Sequence, residues 1–210
     1  TKLIIKKIIR SSISDILSKG TDPKYLLISF SGSKKNFSNT NIKLIINSIK
    51  QEQKKYSFFL IGGDTNSSNK GSFTVCVFGY SKKIIRRNNC KPNDDIYVTG
   101  NIGDASVGLN FMKNKITSSY KIKKYFIDKY FKPSLPYGFH RELFKFSNSS
   151  MDISDGLLID LKKKLTNKKL GFIVNYDLLP KSYYFQKLSN EKKKFDEIFK
   201  LVSNKGKWGG

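Results

Sequence analysis

The first half of the chain repeats one pattern, an apolar helical stripe followed by a break and a short continuous apolar run. Over residues 3–18, Ile4, Ile5, Ile8, Ile9, Ile13, Ile16 and Leu17 recur at helical spacing, and Gly20 closes the run. Asp22-Pro23 turns the chain, and Tyr25-Leu26-Leu27-Ile28-Ser29-Phe30 reads as a buried strand. A polar loop over 31–40 leads to a second helix over 41–54, with Ile42, Leu44, Ile45, Ile46 and Ile49 on its apolar side. Phe58-Phe59-Leu60-Ile61 is a short strand that runs into Gly62-Gly63-Asp64-Thr65, and Ser72–Tyr80 alternates as another. Such a stretch must build helices and strands together.

The glycine pair at the end of a strand has two readings. Two residues without Cβ let a backbone approach a ligand closely, with Asp64 and Thr65 beside it; an ordinary Gly-Gly turn needs the same residues. Further on, Arg86-Arg87 precedes a polar turn through Asn88, Asn89, Lys91 and Pro92. Asp95–Thr99 is expected as a strand, ending in Gly100-Asn101-Ile102-Gly103-Asp104, and 105–112 as a helix capped by Asp104. A lysine-rich aromatic helix over 118–132, a strand over 171–175 and a last helix over 195–202 complete the reading. His140 is the only histidine and has no Cys or acidic partner at ligand spacing, so it is read as structural.

Met151-Asp152-Ile153-Ser154-Asp155-Gly156-Leu157-Leu158-Ile159-Asp160-Leu161 joins two carboxylates to the start of an amphipathic helix. In one reading Ser154 or Asp155 caps that helix, with Leu157, Leu158 and Leu161 on its buried face. In the other, Asp152 and Asp155 hold Mg²⁺ against a phosphate near the helix N-terminus, where peptide dipoles favour an anion. Asp15, near the end of the first helix, is likewise a solvated face residue or a metal ligand.

Composition excludes several classes. The net charge of +24 suggests a polyanion partner, but only Arg10, Arg86, Arg87 and Arg141 among the 40 basic residues are arginines, and the lysines are spread along the whole chain. Specific nucleic-acid binding is therefore not expected. No apolar run approaches the roughly 20 residues of a membrane span. Cys76 and Cys90 form neither a disulfide framework nor a zinc pattern, which fits a reducing cytoplasm. The motifs GxxxxGK[ST] and GxGxxG are absent, and no Ser/His/Asp or Cys/His set is available. Carboxylates at loop–helix junctions, glycine turns and an isolated arginine instead suit phosphoryl transfer.

The order of these pieces resembles the thiamine-monophosphate kinases, within the superfamily of aminoimidazole-ribonucleotide synthetase-like ATP-binding proteins. The matching residues are Ser14-Asp15-Ile16 with Gly20 and Pro23, Gly62-Gly63-Asp64-Thr65, Arg87 seven residues before Asp94, Val98–Asp104, Lys132-Pro133 with Pro136, and Met151–Leu157. The resemblance implies an α/β (α+β) fold in two domains: an N-terminal sheet domain over 1–87 that binds ATP and Mg²⁺ and pairs in a homodimer, and a C-terminal domain over 88–210. It implies ATP-dependent phosphorylation of thiamine phosphate to thiamine diphosphate in the cytoplasm, without a phosphoenzyme. Carried over by position, Asp15, Asp64, Asp152 and Asp155 would hold Mg²⁺, while Gly63, Asp64, Arg87 and Ser154 would contact ATP.

The sequence also departs from the family. Lys19 replaces a usual methionine, and no arginine follows Pro136. The chain opens on Thr1 and stops at Gly209-Gly210, where the family continues, so it reads as an internal piece that is inactive or feeble alone. The alternatives are a selenophosphate synthetase-like member of the superfamily and a non-catalytic remnant with weak polyanion binding.

Overall fold

A computed structural model describes residues 1–192, so the helix expected over 195–202 lies outside the described residues. The element order is α1 (Lys2–Leu17), β1 (Tyr25–Gly32), α2 (Asn39–Tyr56), β2 (Phe59–Ser67), β3 (Ser72–Phe78), α3 (Asp104–Met112) and α4 (Tyr120–Phe131), then a 3-10 turn (Phe139–Glu142), α5 (Leu143–Phe146), α6 (Leu157–Lys164) and α7 (Tyr183–Lys192). The fold is mixed α/β, as expected.

The chain forms two compact units. One comprises Thr1–Asn89 with Leu135–Asp152, and the other comprises Cys90–Ser134 with the described residues from Ile153 on. A single division at residues 87 and 88 does not anticipate the return of 135–152 to the first unit. Leu135 and Tyr137 explain it, because both pack against the first unit's core.

That core is built by the expected periodicities. Ile5, Ile9, Ile13 and Leu17 of α1 meet Leu26 of β1, Ile49 and Tyr56 of α2, and Phe58. The sheet order is β2-β1-β3, with β1 parallel to β2 and antiparallel to β3. Parallel neighbours need a crossover, which α2 supplies. Phe73, Val75 and Val77 face the core, and the intervening residues of β3 face outward. Inside the helical layer, Arg10 donates to buried Glu52 through Nε (2.8 Å) and Nη2 (3.0 Å). This bidentate geometry offsets part of the desolvation of both charges.

The second unit packs Val107 and Phe111 of α3 and Ile122 and Phe126 of α4 with Ile116, Phe185 and Leu188. The two helices touch closely because Gly108 is bare: a Cβ there would lie 2.1 Å from the Phe126 carbonyl oxygen. Asp104 is not the cap of α3. Gly103, at φ +95°, takes the N-cap position. Asp104 turns inward instead, accepting from the Ser182 hydroxyl at 2.7 Å and the Tyr125 hydroxyl at 2.9 Å.

Among the described residues, neither 95–99 nor 171–175 is a strand. Tyr97 is 87% exposed and Ile173 is 95% exposed, so neither segment has found a sheet to join. An apolar run becomes a strand only when a neighbour completes its hydrogen bonds.

Candidate functional site

Asp15, Gly63, Asp64, Arg87 and Asp152 lie in the first unit, and Ser154 and Asp155 lie in the second. Asp15 is exposed on α1, whose buried stripe is formed by its neighbours Ile13 and Leu17. Gly62-Gly63-Asp64-Thr65 does not follow β2 as a turn but is part of it. Gly63 pairs with Ile28 across the ladder, and a Cβ on it would lie 1.8 Å from the Ile28 carbonyl oxygen. The close backbone approach that the glycine permits is thus made to β1.

Asp64, one residue on, is exposed and pairs in register with Ser29. Its carboxylate accepts from the Thr65 N–H at 2.8 Å and from the Asn66 amide at 2.7 Å. Arg87 is exposed, and its carbonyl accepts from the Ser149 hydroxyl at 2.6 Å, tying the start of the motif segment to the turn after β3. A shallow cleft of about 390 Å³ adjoins in sequence, lined by Lys82, Lys83, Arg86, Asn89, Phe144 and Ser147 among others. Its charged residues are all cations, a surface suited to anions. Asp152 is half-buried at the end of the returning segment.

The loop after Asp152 differs from both sequence readings. Neither Ser154 nor Asp155 caps α6. The N-cap is Gly156, at φ +122°, a conformation that favours glycine. The N–H groups of the loop leading into α6 are satisfied from within the helix: Oδ2 of Asp160 accepts from the N–H of Ser154 (2.9 Å), Asp155 (3.0 Å) and Gly156 (3.1 Å). The other Asp160 oxygen accepts from Lys163 Nζ at 3.1 Å, and Lys163 also pairs with Asp155. The Asp155 bond, followed by that to Asp160, raises the Lys163 pKa above its ordinary value. Asp160 was missed as a site residue. Its signal was an acid between Leu157 and Leu161, on the face those leucines bury.

His140 has an acidic partner, Asp22, that sequence spacing did not reveal. The histidine is fully buried; Nδ1 accepts from the Gly138 N–H at 3.1 Å, so Nε2 carries the proton that points at Asp22 Oδ1, 3.0 Å away. Arg141 Nη2 donates to the same oxygen at 2.9 Å.

No group of three or more His, Cys, Asp or Glu side chains that could hold a metal ion is assembled among the described residues. The four aspartates are nevertheless hard oxygen donors. Mg²⁺ takes carboxylate oxygens together with phosphate oxygens and water, so the donor type fits that ion without a preformed cluster.

Comparison with known proteins bears on the fold and the relatives of the chain. Residues 3–81 match the AIR synthase related protein, N-terminal domain. The thiamine-monophosphate kinase of Buchnera aphidicola subsp. Schizaphis graminum is 32% identical over 209 residues, covering 95% of this chain and 61% of that protein. The crystal structure of thiamine monophosphate kinase from Aquifex aeolicus matches with a TM-score of 0.86 at 21% identity, over 96% of this chain and 67% of that one. AaThiL complexed with AMPPCP and TMP matches with a TM-score of 0.84 at 22% identity, over 91% and 62%. The chain spans less than two thirds of the Buchnera protein's length. In sequence the chain is similar over most of its length to thiamine-monophosphate kinases, it shares the fold of their solved structures, and its residues 3–81 match the AIR synthase related N-terminal domain.

Proposed function

We propose that this chain is part of a kinase that transfers the γ-phosphoryl group of ATP to thiamine phosphate, giving thiamine diphosphate and ADP. The observation that carries the reading is the 32% identity to a thiamine-monophosphate kinase over 209 residues, with the aspartate motifs in order. AaThiL, which shares the fold, is complexed with AMPPCP and TMP.

In this reading the terminal phosphate oxygen of thiamine phosphate attacks the γ-phosphorus directly, the bond to the β-phosphate oxygen breaks, and ADP leaves. Such a transfer asks the protein mainly for positioning and charge. Gly63, Asp64, Arg87 and Ser154 contact ATP, where the Arg87 guanidinium offers paired N–H donors to phosphate oxygens. Asp15, Asp64, Asp152 and Asp155 are the residues that would hold Mg²⁺, which when bound neutralises phosphate charge. For Asp155 this requires giving up Lys163, so the lysine keeps that carboxylate neutralised before the metal arrives. Residues 1–87 are assigned as the ATP- and Mg²⁺-binding domain, within a cytoplasmic homodimer. The pairing is supported by the fully exposed edge strand β2, which presents Phe59 and Ile61 at 65% and 54% exposure.

Calorimetry of ATP binding with and without Mg²⁺, on this chain and on Asp152→Asn, tests the nucleotide site. Binding that requires Mg²⁺ and is lost in the variant is expected. Equal ATP affinity in both proteins refutes the assigned carboxylates. On a protein extended to the full length of its relatives, ADP release with selenide but not thiamine phosphate would reject the substrate.

A further inference from the structure

We propose that Asp160 is a positioning residue. Its carboxylate fills the cup of backbone N–H groups at the entrance of α6 and so fixes the loop that presents Ser154 and Asp155. The consequence for function rests on the reading above, in which those two residues meet ATP and Mg²⁺.

The geometry is unusual for a helix start. Three successive N–H groups converge on one oxygen at 2.9–3.1 Å, and the acceptor is a side chain one turn inside the same helix. Asp160 is 1% exposed, whereas Ser154 and Asp155 are exposed. Three amides aimed inward leave the side chains of Ser154 and Asp155 on the outer side of the loop. Gly156, at φ +122°, supplies the backbone turn that lets its own N–H join the other two.

An N–H cup at a helix N-terminus ordinarily receives an external anion. Here the protein supplies the anion itself. A substrate phosphate therefore cannot take these three loop amides without displacing a buried carboxylate, and the loop is left to meet phosphate and metal through the side chains of Ser154 and Asp155. Lys163 completes the arrangement by offsetting the charge of Asp160 from the other side, at 3.1 Å.

Amide hydrogen exchange by NMR tests this first on the unmodified chain. The N–H groups of Ser154, Asp155 and Gly156 should exchange at least about tenfold more slowly than unstructured peptide, although the loop is exposed. Exchange at the unstructured rate overturns the proposal without any variant. Asp160→Asn and Asp160→Ala should then speed exchange at these three positions, alanine more than asparagine, while Phe111 and Phe126 in the core stay protected. Unchanged protection of the three amides in a folded Asp160→Ala would also overturn it.

Calorimetry supplies the readout that a merely structural residue would not move. At a temperature where the variants are folded, Asp160→Ala should weaken Mg²⁺–ATP binding by about tenfold or more. Wild-type affinity in that variant would show that Asp160 positions nothing the nucleotide uses. If the unmodified chain binds no Mg²⁺–ATP but the three amides still lose protection in the variants, the hold on the loop stands and the nucleotide reading of Ser154 and Asp155 falls.

Discussion

Asp104 is a carboxylate placed where water cannot reach it, with the hydroxyls of Ser182 and Tyr125 as its partners. Burial raises its pKa above the ordinary 3.8, and the two hydrogen bonds pull it back without cancelling that rise. The folded chain therefore holds this proton more tightly than the unfolded chain, and the contribution of Asp104 to stability falls as pH rises from about 4 through its folded pKa. Asp104→Asn should remove that part of the slope, read as urea midpoints between pH 4 and 7, because an amide keeps the packing and carries no charge. Asp22 works in the opposite sense. Its burial favours the neutral form, but the bonds from Arg141 and His140 prevail and hold its pKa below the ordinary value. Its contribution is present above about pH 4 and is lost as pH falls through the lowered pKa. Neither partnership could be read from sequence: Asp104 and Ser182 lie 78 positions apart, and Asp22 and His140 lie 118 apart. What sequence does carry is the oddity of an acid on an apolar face, as at Asp160, and not the identity of its partner.

At the scale of elements, the helices were legible because an α-helix closes its own hydrogen bonds, so its apolar stripe suffices to announce it. Strands depend on a neighbour. Leu26 and Ile28 found β2 and β3, whereas Ile96 and Ile173, equally apolar in sequence, found no ladder among the described residues. The glycine pair shows the same dependence. Gly63 could be recognised as a place of close approach, but not that the approaching group is the Ile28 carbonyl across the ladder. Gly63→Ala should therefore push β2 away from β1 and cost about 1–3 kcal/mol, the range for strain forced on a backbone. Urea unfolding measures this directly, and an unchanged midpoint would show that the two strands can part without loss.

For the whole molecule, a net charge of +24 sets a background against which every local contact acts. With 40 basic residues against 16 acidic ones, cations outnumber the charges that could answer them, and like charges repel one another. Raising salt from about 0.02 to 0.5 M shortens the range of that repulsion to a few ångströms. The melting temperature should rise by several degrees, since each kcal/mol is worth about 2–4 °C in a chain of this size. A fall instead would mean that attraction between the few acids and the many lysines outweighs the repulsion.

The return of residues 135–152 to the first unit has a consequence for how the protein is made. A ribosome synthesises α1, the sheet and α2 first, yet Leu135 and Tyr137, which cover their core, emerge only after α3 and α4. Until then Tyr56 lacks the ring of Tyr137 and Asp22 lacks His140. The nascent first unit must wait, unsealed, while part of the second is translated, and a messenger cut after Asn89 would encode a core without its cover.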